Sequence, residues 1–206
     1  MSLRPEQILI YHITDVENLP GILAKGGLCS DAAMAMAAHN VIGYDHIKER
    51  RLKKIRVPCC GQRFVGEFVP FYFCARSPML FTTNKGQTGR LPGCQKSIVH
   101  LVSTVAMGIR LERAWAISDG NAGAFHTFFY AELDAINILD WRAIKARDWR
   151  GKTHQKSAEF LIADFFPWTG VQEIGCHNLA VTTQVRMLLQ DQAHRPIVNV
   201  KSNWYY

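Results

Sequence analysis

Apolar residues in this chain come in short runs with polar breaks between them. Ile8 to Ile13 (Ile-Leu-Ile-Tyr-His-Ile) is short and rich in β-branched side chains, which predicts a strand ending at Thr14-Asp15. Asn18 to Leu23 predicts a short helix, with Asn18 as N-cap, Pro20 in the first turn and Lys25-Gly26-Gly27 as its stop. Ser30 to His39, rich in alanine and methionine, and His46 to Ile55 have helical composition, and Pro58 stops the second. Phe68 to Ala75 predicts a buried strand despite Pro70, broken by Ser77-Pro78, and the glycines and Pro92 of Asn84 to Gly93 predict a loop. Ser97 to Ser103 and Ala114 to Ile117 predict strands, and Ser118-Asp119-Gly120-Asn121-Ala122-Gly123 predicts a turn. Leu133 to Trp149 reads as irregular or helical. Glu159 to Phe165, Val171 to His177 and Ile197 to Val200 predict strands, with a helix over Thr182 to Gln192.

Short strands in mixed order predict an α+β fold with an antiparallel or split sheet. A length of 206 residues suits one domain over 1–206. No apolar run is long enough to span a bilayer, so no membrane association is expected. The Met1-Ser2-Leu3-Arg4 start carries no secretory h-region, which predicts a cytosolic protein. No G-x-G-x-x-G follows a strand and no P-loop is present, which argues against those nucleotide folds. Six cysteines without a C-x-x-C pair predict reduced, mostly buried thiols and no metal site.

Charge changes the picture. The net charge is +7, from 24 Lys and Arg against 17 Asp and Glu. His46 to Arg63 alone carries a net +6 and Arg142 to Lys156 a net +5, so the remainder of the chain is slightly acidic. Two basic segments on an acidic body point to a polyanion partner; two solvated helix faces are the alternative.

Three polar features stand where a core would favour apolar residues. Strand alternation puts His12 and Thr14 on one face and Tyr11 and Ile13 on the other. In His46-Ile47-Lys48-Glu49-Arg50-Arg51, Arg50 shares a helix face with His46 and Arg51 shares one with Ile47, so one arginine can enter a cleft while its neighbour faces solvent. Glu159 opens an apolar strand, where an isolated carboxylate is costly to bury. Such a group suits stabilisation of a developing cation or capture of a hydroxyl.

Tyr11-His12-Ile13-Thr14, His46 to Arg51, the strand Phe71 to Leu80 running into Arg-Ser-Pro-Met-Leu, and Lys156 to Phe160 form an ordered set. That set resembles the DarT family, DNA ADP-ribosyltransferase toxins of the ADP-ribosyltransferase superfamily, over residues 8 to about 200. The resemblance implies a split, mainly antiparallel sheet with flanking helices. It implies transfer of ADP-ribose from NAD⁺ to thymidine in single-stranded DNA, in a bacterial cytoplasm, by the toxin of a pair whose antitoxin is a macrodomain protein. Carried onto this chain, Glu159 and an arginine of the Arg50–Arg51 pair would be catalytic. Arg50 is preferred for its face shared with His46, which leaves Arg51 to the cofactor. His12, Ile13, Thr14, Gly21 and Leu28 would bind NAD⁺, and Ser118 to Ala158 would present the acceptor.

Lys48, Lys53 and Lys54 in the first basic segment, and Arg147, Trp149, Arg150 and His154 in the second, are the expected DNA contacts. Trp141, Trp149 and Trp168 offer rings on which bases can stack, and Trp115 is expected in the core. A guanidinium is a poor base, which favours an electrostatic role for the arginine. The alternatives are an ADP-ribosyltransferase acting on protein or RNA, and a non-catalytic nucleic-acid-binding domain.

Overall fold

The computed structural model describes residues 4–34 and 45–206. In chain order the elements are β1 (Leu9–Asp15), α1 (Leu19–Ala24), β2 (Gly27–Cys29), α2 (Asp31–Met34), α3 (Asp45–Lys53), β3 (Arg56–Val57), β4 (Arg63–Phe64), β5 (Phe68–Tyr72) and α4 (Pro78–Asn84). They continue with β6 (Ile98–Thr104), α5 (Val105–Arg110), β7 (Trp115–Asn121), β8 (Phe129–Tyr130), α6 (Trp141–Lys145), α7 (Thr153–Lys156), β9 (Ala158–Ala163), β10 (Phe165–Pro167), β11 (Glu173–Cys176), α8 (Leu179–Leu188) and β12 (Ile197–Val200). Eight strands form one sheet in the order β12-β11-β6-β1-β5-β9-β7-β8. Every neighbour in it is antiparallel except β11 with β12. This is the expected α+β class.

Two strands explain where the core sits. Every residue of β6 and of β9 is buried, as expected of strands covered on both faces. Phe71, Phe160 and Phe166 sit at the centre of the main apolar cluster, with Ile10, Leu101 and Ile117 around them. The chain's C-terminal end closes the β6 side: the Tyr205 hydroxyl lies 2.8 Å from the Ile98 carbonyl and 3.0 Å from that of Gly175.

The sheet is split between β1 and β5. β1 pairs with β6 along its whole length, from Leu9↔Thr104 to Asp15↔Ile98, whereas β1 and β5 meet only at Tyr11↔Tyr72. Pro70 supplies the reason, because it has no N–H to donate to a ladder. Its carbonyl instead accepts a 2.9 Å hydrogen bond from His12 Nδ1. The proline therefore keeps a strand on the β9 side, where Pro70 pairs with Leu161, and frees the backbone on the β1 side.

Several local expectations shift. The run Ser118 to Asn121 is strand, with a register irregularity between Ile117 and Asn121, and the turn comes after it, where the Ala124 N–H donates to the Asn121 carbonyl. Ser118 Oγ accepts from the Glu159 N–H and donates to the Gly120 carbonyl, which replaces the ladder bonds a turn-like composition would forfeit. Asn18 does not cap α1; its amide donates to Thr14 Oγ1. Of the run Ser30 to His39, Asp31–Met34 is helical, and 35–39 lie outside the described residues.

Candidate active site

Helix α3 and strand β9 meet at one buried ion pair. Arg51 Nη1 donates to both carboxylate oxygens of Glu159, at 3.1 and 3.0 Å, and Nη2 donates to Oε2 at 3.0 Å. The two side chains are 10% and 2% exposed. A third donor, the Ala122 N–H, reaches Oε1 at 3.1 Å. The carboxylate that opens β9 is thus enclosed and met by donors on both oxygens, which is what makes burial of a charge tolerable.

The structure puts Arg51, not Arg50, on this carboxylate. The cause lies one turn back. Ile47 is packed toward the loop after β7, where a Cβ added at Gly123 would stand 3.1 Å from Ile47 Cγ2 and 3.7 Å from Arg51 Cγ. Arg51 follows Ile47 at i+4 onto that inward face. Arg50 turns aside, with its guanidinium 5.7 Å from the centre of the Phe125 ring.

Burial works against the Arg51 cation, but the Glu159 carboxylate more than compensates and leaves its pKa raised. Tyr72 stands opposite Glu159 in register. Its phenol is driven up chiefly by burial and then by the Glu159 charge. His12 is held below the ordinary imidazole value by burial, against the opposing Pro70 hydrogen bond. The Asp31 charge acts on both His12 and Arg51, which ties β1 and α3 to one cleft. Asp31 also pairs with Lys48 at 3.3 Å.

The other expected cofactor contacts fall in different settings. Thr14 is buried and accepts from Asn18. Ile13 packs against the small cluster of Leu80, Ile98 and Tyr205. Gly21 has open space where a side chain would stand. Leu28 is 3% exposed and belongs to the main core, where β2 is held against β10 over Gly27↔Pro167 to Cys29↔Phe165.

The basic segments are less uniform than their composition. Lys53 pairs with Glu49 at 3.1 Å, and Lys54 and Arg147 are exposed. Arg150 Nε donates to Asp148 at 3.0 Å. Trp149 is half-buried, edge-on to Phe81 at 5.4 Å. Trp168 is core at 5% exposure, and Trp115 stacks on Phe160 as expected. His154 lies against Gly120, with its ring 4.3 Å from that of His126, and burial followed by His126 lowers its pKa. Lys156 is buried, its ammonium donating to the carbonyls of Ile144 and Ala146 at 2.8 and 2.9 Å.

Residue reading missed Ser118 and the Ala122 N–H, which position Glu159, and gave Tyr72 no role. It also passed over Phe125 and Phe128, 71% and 66% exposed on the loop beside Arg50. Two phenylalanines in a run of Gly, Asn and Thr were the available signal.

Together these groups form a fixed carboxylate, a guanidinium fork and a neutral imidazole around a split in a sheet, suited to stabilising a cationic transition state on a polar ligand. A family model described as "ssDNA thymidine ADP-ribosyltransferase, DarT" matches residues 11–206. A DNA ADP-ribosyl transferase of Thermus aquaticus is 38% identical over 204 residues, covering 98% of this chain and 90% of that protein. The structure of Thermus sp. 2.9 DarT in complex with ADP-ribosylated ssDNA superposes with a TM-score of 0.92 at 35% identity, covering 100% of this chain and 99% of the other. The same protein in complex with NAD⁺ gives 0.86 at 32% identity, covering 99% and 100%.

Proposed function

The chain belongs to the DarT family of single-stranded-DNA thymidine ADP-ribosyltransferases, and on that premise we propose how its residues perform the reaction. The protein is an NAD⁺-dependent DNA ADP-ribosyltransferase, with NAD⁺ as co-substrate. The bond from ribose C1′ to nicotinamide breaks, a bond from C1′ to thymidine forms, nicotinamide leaves and the acceptor's proton passes to solvent.

The observation that carries the residue assignment is the Arg51 fork on the enclosed Glu159 carboxylate. Glu159 offers fixed negative charge to the oxocarbenium-like C1′. A charge already desolvated and oriented needs no reorganisation at the moment of bond breaking. Arg51 holds that carboxylate in place and, its pKa being raised, stays a cation rather than a base. It suits the NAD⁺ phosphates or the thymine anion. His12, neutral and anchored on Pro70, would place the nicotinamide ribose together with Thr14 and Gly21. The loop from Ser118 onward, with Phe125 and Phe128 outward, would present the thymidine.

Family membership supports two wider readings: a toxin role paired with a macrodomain antitoxin that removes the mark, and action as a single catalytic domain in a bacterial cytoplasm. No helix among the described residues is long and apolar enough to cross a membrane.

Incubation of a thymidine-containing oligonucleotide with NAD⁺, read by mass spectrometry, is expected to show one added ADP-ribose per modified thymidine. Transfer is expected to vanish in Glu159→Gln. A Glu159→Gln protein retaining more than a tenth of the rate would overturn the assignment of Glu159.

A further inference from the structure

Cys74 and Lys156 form a second buried pair of reactive side chains, apart from Arg51 and Glu159. Lys156 is 2% exposed and Cys74 is half-buried. The thiol and the lysine nitrogen share a side-chain hydrogen bond. The same nitrogen donates to the carbonyls of Ile144 and Ala146, at 2.8 and 2.9 Å. The sulfur's other contacts are long: the carbonyls of Arg76 and Lys156 lie 3.6 and 3.8 Å away.

These contacts prepare the amine for reaction. Loss of the ammonium proton leaves two N–H groups and one lone pair. The two carbonyls hold the N–H groups, which leaves the lone pair for the thiol. Burial lowers the Lys156 pKa; the Cys74 thiol opposes that, and the Arg76 charge adds to it. Burial pushes the Cys74 thiol up to about 11, so it keeps its hydrogen. A desolvated lysine is a nucleophile, and here it touches an oxidisable sulfur.

Other sulfurs meet different groups. Cys60 Sγ donates to the Trp115 carbonyl at 3.2 Å, and Cys94 Sγ to that of Thr83 at 3.3 Å. Cys74 and Lys156 also both line a cavity of about 380 Å³, which admits a molecule as small as dioxygen. In the chain, Cys74 comes two residues after Tyr72, the end of β5, and Lys156 ends α7 just ahead of β9. A bond between them would close a loop over a separation of 82 residues.

We propose that Cys74 and Lys156 are an oxidation site, at which dioxygen joins them through one oxygen atom as a Sγ–O–Nζ bridge. The thiol gives up its hydrogen and the amine gives up one of its two. An S–O bond and an O–N bond form, and the second oxygen atom leaves as water with those two hydrogens. Sulfur and nitrogen each lose two electrons, and dioxygen takes all four. The bridged nitrogen keeps one N–H, so one of the Ile144 and Ala146 carbonyls loses its donor.

The experiment uses the full chain, purified without oxygen and then divided, with one portion exposed to air. Intact-protein mass spectrometry of the air-exposed portion is expected to show one oxygen gained and two hydrogens lost. Excess dithiothreitol should reverse the change. Peptide mapping should place it on a cross-linked pair of peptides, one holding Cys74 and the other Lys156. Cys74→Ser and Lys156→Arg should each abolish it. Cys74→Ser is nearly isosteric, so the test stands if Lys156→Arg does not fold. Oxygen on Cys74 without the cross-link, a disulfide of Cys74 with another cysteine, or a mass that air leaves unchanged overturns the proposal. None of these readouts involves NAD⁺ or DNA, so the site stands or falls apart from the transfer reaction.

Discussion

The two basic segments carry nearly the same charge, and each sinks one cation into the protein. Arg51 of the first reaches a carboxylate, whereas Lys156 of the second reaches two carbonyls. The first is an enclosed ion pair with its fork fixed by geometry. The second has only neutral acceptors, and burial lowers its pKa. Burial alone therefore says little about a cation; its partner, a carboxylate or a carbonyl, sets the difference.

The largest expected effect breaks the first pair. Arg51→Lys keeps charge but loses the planar fork. It should lower thymidine modification by two or more powers of ten at saturating NAD⁺, while Arg50→Lys should cost less than tenfold. Equal losses would mean that the inward face of α3 is not what selects the arginine.

Stability separates the segments next. Arg51→Met strands Glu159 in a buried site, and unpaired buried charges of this kind cost about 3–5 kcal/mol. Lys156→Met leaves two carbonyls without a donor, which costs about 1–3 kcal/mol. Urea unfolding of the two variants reads the difference, and a larger loss for Lys156→Met would reverse the comparison.

Acid should probe the buried imidazoles: His12 is held low by burial, and His100, buried between the Ala75 carbonyl and Tyr205, is lowered by burial from 6.5 to about 4. The unfolded chain binds these protons and the folded one does not. The His100 contribution is therefore full above pH 6.5 and is lost as pH falls toward 4, by about 3 kcal/mol. His100→Gln should lessen the decline in thermal melts taken across that range, and the part that remains should include His12.

The smallest effects lie on the surface of the second segment. Arg147→Ala should reduce the log–log salt slope of single-stranded DNA binding by about 0.7. Arg150, already held by Asp148, should change it less. Equal slopes for both would show that the Asp148 pair dissolves when DNA binds.

Much of this was legible along the chain. Strand β1 with His12 and Thr14 on one face, the helix bearing the two arginines, and Glu159 in an otherwise apolar strand all follow from local periodicity and from the cost of exposing apolar residues or burying lone charge. The ordered motifs fixed the family. What the chain by itself left open was which arginine turns inward. Ile47 marked the inward face of α3, but only the loop around Gly123 showed that this face is covered. Composition also misplaced the turn after Ile117, because the Ser118 hydroxyl takes its bonds from Glu159, 41 residues away. Likewise Lys156 read as one more solvated charge until the carbonyls of Ile144 and Ala146 closed over it. Local pattern fixes what each segment does with its own neighbours. Partners distant in sequence decide which polar groups are enclosed, and so only the tertiary structure could set Arg51 against Glu159 and Lys156 against two carbonyls.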